Sequence, residues 1–370
     1  MPFPTSIRRT LAALVVTCAS TPLASQAAPS RVVLTDSHFH LTNYVQRGPT
    51  LKQFLPLLGD SIGRVAVFGI PLQQEWLDAV TGENAPTYYL HSDAPLYYYS
   101  FVDANIAMEY RSLSPAEQAR FDPMITGFNP SDMYAADQIR RVLRTFPGVF
   151  TGIGEFTIHK EFVSDKVRPG PASLLDPALD SVLSVAGEIG LVALIHNDMD
   201  VPFATDTVGA TPCAGCDEVV ARPAYLDDMK ALIRRHRNTT IIWAHTGLGR
   251  VVRPVRGHAA ILASMLADPA YANLYFDISW DVVAKYLVAS PEAVRVAADL
   301  INRFPDRFLF GTDAVAPKTA TAYLTTDELY RPLWAALTPE ARAKVRVENY
   351  ERLFDAARRK VRAWEAAHAR

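Results

Sequence analysis

Along most of this chain, short runs of aliphatic, β-branched and aromatic residues alternate with longer stretches whose apolar positions recur every three or four residues. The short runs are RVVLTDSH (31–38), RVAVFGI (64–70), FTGIGEF (150–156), LVALIH (191–196), TTIIWAH (239–245), NLYFDIS (273–279) and RFLFGTD (307–313). Strands buried on both faces read as continuous apolar runs of this kind, and their alternation with helices implies parallel pairing. The longer stretches carry helix punctuation. PALDSVLSVAGEIG ends on Gly190 in the manner of a helix C-cap, AYLDDMKALIRRH has its leucines and isoleucine at helical spacing, and SPEAVRVAADLINRF opens on Ser-Pro-Glu.

Seven strands leave an eighth to be found between residues 71 and 150, where there are two candidates, LYYYSFV (96–102) and PMITGFN (123–129). The second is the better barrel strand, because the helix-like SDMYAADQIRRVLRTF follows it directly. The first then belongs to a long insertion after strand two. Eight parallel strands, each followed by a helix, predict an α/β fold, a single-domain (β/α)8 TIM barrel. An open doubly wound sheet is the competing layout, but no Gly-x-Gly-x-x-Gly turn follows the first strand. No repeat, low-complexity tract or linker marks a second domain.

Composition narrows the function classes. Across 370 residues, 49% are hydrophobic and the net charge is -2, with no long run of like charge. A nucleic-acid footprint or polybasic membrane patch is therefore not expected. The C-terminal RLFDAARRKVRAWEAAHAR is locally basic, yet Leu353, Ala357, Val361 and Trp364 recur at helical spacing. That pattern predicts a docked amphipathic helix with a solvated cationic face. Residues 1–27 read as a signal peptide: Arg8 and Arg9, the apolar run from Leu11 to Val16, then Ser25-Gln26-Ala27 before Ala28. The apolar run is far short of the roughly 20 residues a spanning helix needs, so export to a periplasm or beyond is expected. The Arg-Arg pair leaves the twin-arginine route open beside the general one, and VVTC lacks the residues of a good lipidation site around Cys18. The domain proper is then 28–370. Two cysteines remain, Cys213 and Cys216 in CAGC. With no second pair for a four-cysteine zinc site, a local disulfide is the expectation in an oxidising compartment.

The chemistry sits at the ends of the runs. His38 and His40 close the first, Glu155 the fourth, His196 the fifth, His245 the sixth and Asp313 the eighth. Alternation along a strand points residues 38 and 40 to the same side, toward the barrel axis, and Phe39 away. Taken singly, His196 reads as a core histidine, Glu155 as a turn acid and Asp313 as an N-cap. Taken jointly, those readings bury four imidazoles and two carboxylates at one barrel mouth, a cost that pairing or a metal must offset. His91, His236, His258 and His368 read as ordinary surface or packing residues.

DSHFH, GIGEF, LIHND, WAHTGLG and FGTDAVAP resemble the strand-end motifs of the amidohydrolase superfamily, over essentially the whole chain from about residue 32. Many members carry a carboxylated lysine at the fourth strand; here Glu155 supplies the anionic group, as in TatD-like nucleases. The resemblance implies that His38, His40 and Asp313 hold an inner metal, that His196 and His245 hold an outer one, and that Glu155 bridges them. Nitrogen and oxygen ligands suit zinc, with manganese, iron or cobalt as alternatives. It also implies hydrolysis of an amide, lactone, ester or phosphoester by a metal-activated hydroxide, with Asp313 and His245 catalytic. His159 and Lys160, Asn197 and Asp198, Arg250, and Trp280 with Asp281 lie just past strand ends. Of these, Lys160, His159, Arg250 and Trp280 are the expected contacts for a small-molecule substrate. The nearest rival is a mononuclear decarboxylase resembling the aminocarboxymuconate-semialdehyde type. A non-catalytic exported binder is a further alternative, and the near-neutral charge disfavours a nuclease.

Overall fold

The computed structural model describes residues 33–44, 46–74, 95–99, 101–160, 163–168, 170, 172–200, 223–250 and 255–368. The expected signal peptide, His91 and the Cys213–Cys216 pair lie outside these residues.

The strands, in chain order, are β1 (Leu34–His40), β2 (Ile62–Phe68), β3 (Leu72–Gln74), β4 (Leu96–Tyr98), β5 (Phe121–Ile125), β6 (Gly152–Thr157), β7 (Val192–His196), β8 (Thr240–Trp243), β9 (Leu274–Asp277), β10 (Phe308–Leu309) and β11 (Ala314–Val315). Nine form one sheet in the order β10-β9-β8-β7-β6-β5-β2-β1-β11, with every pairing parallel. The two outermost strands, β10 and β11, are pieces of the same stretch, 308–315. Between them Phe310 accepts from the Ser37 amide at 3.0 Å, and the Asp313 amide donates to His38 O at 2.8 Å. The sheet therefore curls back on itself through a broken eighth strand, giving a TIM-barrel-like α/β fold.

The third barrel strand is β5, which overlaps the favoured PMITGFN run at residues 123–125 and begins two residues before it. The rejected candidate divides: Leu96–Tyr98 pairs antiparallel with Leu72–Gln74, and a helix starts at Phe101. That helix, Phe101–Ser112, is fastened to the top of β5 by buried Asp103, which accepts from the Thr126 amide (2.9 Å) and the Gly127 amide (2.8 Å). The helix punctuation also holds. Gly190 caps Pro177–Ile189 in the left-handed conformation (φ 89°), and the Ser290 hydroxyl accepts from Ala293 N at the start of Pro291–Arg303.

Period-two alternation sorts the side chains into two compartments. Val65, Val67, Ile125, Ile153 and Ile241 face the surrounding helices. Ala66, Phe68, Met124, Val192, Leu194, Ile242 and Leu309 form a separate interior cluster with Tyr350, Leu353, Phe354 and Ala357. Those last four lie on the helix Asn349–Ala367, the predicted C-terminal amphipathic helix, which seals the barrel at the N-terminal ends of its strands. The expected solvated cationic face holds for the exposed Arg352, Arg359 and Lys360 and needs correction for two other arginines. Arg358 donates to Asp122 Oδ1 (2.7 Å) and Arg362 to Phe150 O (3.1 Å), because both lie over the strand ends that the helix covers.

Asp122 is fully buried at the start of β5 and is the ionic centre of this seal. It accepts from Arg64 Nε (2.9 Å), Arg358 and the Tyr350 hydroxyl (2.8 Å). Removing one partner of a buried ion pair strands the rest. Asp122→Ala is therefore expected to cost on the order of 3–5 kcal/mol in denaturant unfolding. A loss below about 1 kcal/mol, the range of an exposed pair, contradicts this account of the seal.

Candidate metal centre

The interior compartment is apolar only as far as the middle of the barrel; the next side chains toward the C-terminal strand ends are His38, His40, Glu155 and His196. Strand alternation explains the first pair: both imidazoles turn inward while Phe39 stacks on Phe54 outside (4.1 Å between ring centroids). The other placements need irregular backbone. A Cβ on Gly154 (φ 113°) would fall 2.2 Å from Leu194 O, so glycine is what lets β6 pass close to β7 just before Glu155, where their register shifts. His245 is not a strand residue, although it closes the run 239–245 read as a strand. Strand β8 stops at Trp243, and His245 (φ 56°) and Thr246 (φ 55°) form a left-handed turn that brings the imidazole back over the axis. Asp313 also sits in a left-handed conformation (φ 50°), in the gap of the broken strand. Its approach is fixed by Asp36, which accepts from the Thr312 amide (2.9 Å), the Thr312 hydroxyl (2.6 Å), the Tyr323 hydroxyl (2.9 Å) and the His38 amide (3.0 Å).

The six residues meet. Glu155 is the hub. Its Oε1 lies 2.6 Å from His196 Nδ1, 3.4 Å from His245 Nε2 and 3.6 Å from His38 Nε2, and its Oε2 lies 3.5 Å from His40 Nε2. Asp313 Oδ1 is 3.1 Å from His40 Nε2 and 3.4 Å from His38 Nε2. Three overlapping ligand groups can be drawn from these donors: His38, His40 and Glu155; His38, His245 and Asp313; Glu155, His196 and His245.

Charge follows the geometry. Burial opposes a proton on His38, but Asp313, Asp277 and Glu155 outweigh it and push its pKa up to about 9. For His196, burial and Lys160 are overridden by Glu155 and Asp198, and the value rises to about 8. Burial holds His245 below its ordinary value. Burial alone would raise both carboxylates; instead Lys160, His196 and His38 hold Glu155 low, and His38, His40 and His245 hold Asp313 low.

A divalent ion fits this donor set on an observation of its own. The fully buried Nε2 of His38 has no hydrogen-bond partner among the described residues, while its Nδ1 is engaged by Asp277 Oδ2 at 3.0 Å. An imidazole pinned by one nitrogen, with the other aimed at two carboxylates, is arranged as a ligand.

Residues 36–356 match the family profile described as amidohydrolase. The chain belongs to the amidohydrolase family. No curated protein resembles this amidohydrolase closely enough to count as a match. Among solved structures, a 2,6-dihydroxybenzoate decarboxylase from Rhizobium aligns with a TM-score of 0.51 at 14% identity, covering 88% of this chain and 99% of that one. A proposed 2-pyrone-4,6-dicarboxylic acid hydrolase from Pseudomonas putida aligns with a TM-score of 0.50 at 12% identity, covering 88% and 98%. At such identities the likeness establishes the fold, and the reaction has to be argued from the site.

Above the cluster opens a cavity of about 360 Å³, lined by His40, Glu155 and Asp313 and by three of the four expected substrate contacts, Lys160, Arg250 and Trp280. The Trp280 indole (φ 74°) lies beside His245 (5.1 Å between ring centroids), with Lys160 Nζ 5.6 Å and the Arg250 guanidinium 5.3 Å from its centre. Tyr44, Ile70, Pro71, Leu72 and Tyr98 supply apolar and aromatic wall. His159, the fourth expected contact, is not among the lining residues and stacks on Tyr225 (3.7 Å). Asp198 bonds the Nε2 of His196 (3.0 Å), and Asn197 O accepts from the Trp243 indole (2.7 Å). The four histidines read as packing residues are described in three cases: His236 pairs with Asp180, His258 bonds Thr246 O, and His368 stacks on Trp364.

Sequence reasoning missed Asp36, Asp277 and Ser279. Asp36 stands inside the DSHFH motif, and Asp277 and Ser279 share the inward parity at the end of run seven. A Cβ on Gly311 would lie 2.6 Å from His38 Cβ and 3.0 Å from Ser279 Cβ, with no flexible chain end to give way. Gly311→Ala is expected to destabilise the fold by about 1–3 kcal/mol through overpacking. Equilibrium unfolding checks this, and an unchanged midpoint contradicts the packing described.

Proposed function

We propose that this amidohydrolase is a hydrolase that uses two divalent ions, zinc by default, to cleave an ester, lactone, amide or phosphoester in a small organic anion. The observation that carries the two-ion reading is Glu155. Its Oε2 faces His40, and its Oε1 faces His196, His245 and, at 3.6 Å, His38, so one carboxylate touches imidazoles of both groups. His38, His40 and Asp313 would hold one ion, and His196 and His245 the other. Such ions supply Lewis acidity toward a carbonyl or phosphoryl oxygen and acidify water. The chain supplies the rest. The Asp313 carboxylate borders the cavity, placed to accept a proton from the attacking water and return it to the leaving group. Trp280 shields the His196 and His245 rings from solvent, and Lys160 and Arg250 give the cavity two cations for an anionic substituent. The acidic compounds in the names of both structural neighbours accord with that preference. We further propose export, on the strength of the leader-like residues 1–27.

A mononuclear decarboxylase is the second reading. It is favoured by the overlap of the three ligand groups, since His38, Glu155 and His245 each serve in two of them and a single ion can satisfy such a site. His245 would then act as the acid–base group.

Metal analysis of zinc-reconstituted protein separates the two. Two ions per chain, falling in Glu155→Gln together with a loss of turnover on carboxylate-bearing lactones or esters of at least about a hundredfold, is expected of an electrostatic role. One ion per chain with carbon dioxide release overturns the hydrolase. His38→Ala should abolish loading with the helical content retained. Arg250→Ala and Lys160→Ala should raise KM for the anionic substrate more than for its neutral methyl ester; equal effects on both contradict the anion preference.

Zinc affinity should also depend on pH. The ion-free protein holds protons on His38 (pKa about 9) and His196 (about 8) that a bound ion must displace. Affinity is therefore expected to rise steadily from pH 6 to pH 8, and a flat profile in competition titrations contradicts the charge balance described.

A further inference from the structure

Asp277 is fully buried at the end of β9, outside the proposed ligand set, and it uses both oxygens. Oδ2 accepts from His38 Nδ1 (3.0 Å). Oδ1 accepts from the His245 amide (2.8 Å), the Ser279 amide (3.1 Å) and, in a very short contact, the Ser279 hydroxyl. Ser279 Oγ in turn lies 2.8 Å from His245 Nδ1 and 3.2 Å from His38 Nδ1.

Proton accounting allows one arrangement. A carboxylate oxygen brings no proton to its contact with Ser279, so the hydroxyl proton must lie there. Ser279 Oγ then has only lone pairs to offer His245, whose Nδ1 must carry the hydrogen. His38 Nδ1 likewise donates to Asp277. Both rings are left with Nε2 facing Glu155, at 3.6 Å for His38 and 3.4 Å for His245. The Asp277 carboxylate also holds the His245 amide in its left-handed turn.

We infer that Asp277 and Ser279 are a positioning pair that fixes a hydrogen on Nδ1 of two imidazoles at once, directly for His38 and through the serine hydroxyl for His245, so that Nε2 is the nitrogen left to face an ion at the centre of the site, already free on His245 and freed on His38 when its second proton leaves. This goes beyond the ligand assignment, and only its consequence for zinc rests on the proposed function.

The test has two readouts on the full chain, neither of them turnover. In 15N-histidine NMR of the ion-free protein, His245 should be the Nδ1–H tautomer. Ser279→Ala, a small change unlike the loss of a buried carboxylate, should shift it toward Nε2–H, which Glu155 Oε1 is placed to accept. In competition with a chromophoric chelator, Asp277→Asn should bind Zn2+ roughly 10–100-fold more weakly, and Ser279→Ala less severely. Ser279→Thr, which keeps the hydroxyl, should hold the wild-type tautomer. An unchanged His245 tautomer in Ser279→Ala, or wild-type zinc affinity in both Asp277→Asn and Ser279→Ala, overturns the inference. A wild-type protein that takes no zinc, yet whose His245 tautomer follows Ser279, upholds the pair and removes the metal-dependent reading instead.

Discussion

Four imidazoles and two carboxylates buried at one barrel mouth are tolerable only because they face one another. A lone buried charge costs several kcal/mol, and isolated buried polar groups are rarely retained. Here each imidazole has a carboxylate within about 4 Å, and Glu155 reaches all four. The rest of the molecule is arranged to keep that convergence in place. Asp36 ties the first strand to the stretch that carries Asp313, Asp277 ties the ninth strand to His38 and His245, and Asp198 holds the far side of His196. These second acids are buried too, so positions that a simple hydrophobic core would fill with aliphatic side chains are occupied by a hydrogen-bonded frame.

The two ends of the barrel solve opposite problems. At the N-terminal ends of the strands, Tyr350, Leu353, Phe354 and Ala357 fill the interior, and Asp122 with Arg64 and Arg358 locks the plug against the sheet. That end carries stability. At the other end the side chains must leave a cavity, so rigidity comes from backbone geometry and hydrogen bonds. His245, Thr246, Trp280, Asp313 and Ala316 all have positive φ, a concentration in residues that gain nothing locally from it. The turn at His245 is braced from below by Asp277 and from behind by His258, which bonds Thr246 O at 3.0 Å.

The strand runs were legible because their residues are buried on both faces, and the six convergent residues because each closes such a run. Deciding between two third-strand candidates was also possible from the helix pattern directly after the second, although a helix follows the first as well and what sets it apart is its antiparallel pairing with Leu72–Gln74. What could not be read was local. Reading each apolar run as one strand carries past the point where the backbone stays extended, so it placed His245 on a strand that had already stopped at Trp243. It also treated run eight as continuous, although the chain breaks at 310–313 and Asp313 enters from the gap. His159 was grouped with Lys160 by adjacency, but neighbours beyond a strand end diverge, and its ring stacks on Tyr225. The acids of the frame left a weaker signal. An aspartate two residues before a histidine motif, or beside a small serine, has no pattern of its own until a third strand brings its partner.

The charge balance links the proposed metal centre to the proposed substrate. In the ion-free chain the ammonium of Lys160 is 3.9 Å from Glu155 Oε2, and this cation is among the causes that hold Glu155 ionised and lower the proton affinity of His196. On the two-ion reading, four positive charges would replace the two protons on His38 and His196, a net gain of two beside Glu155 and Asp313, and the attraction between Glu155 and Lys160 would weaken. The lysine, its side chain only 10% exposed, would then face like charge, with Arg250 beside the same indole. At separations near 4 Å and an effective dielectric of about 20, each such pair interaction is worth about 4 kcal/mol. A negative substituent on the substrate relieves that repulsion. On that reading, loading the ions would strengthen the electrostatic demand for an anion that Lys160 and Arg250 already give the cavity.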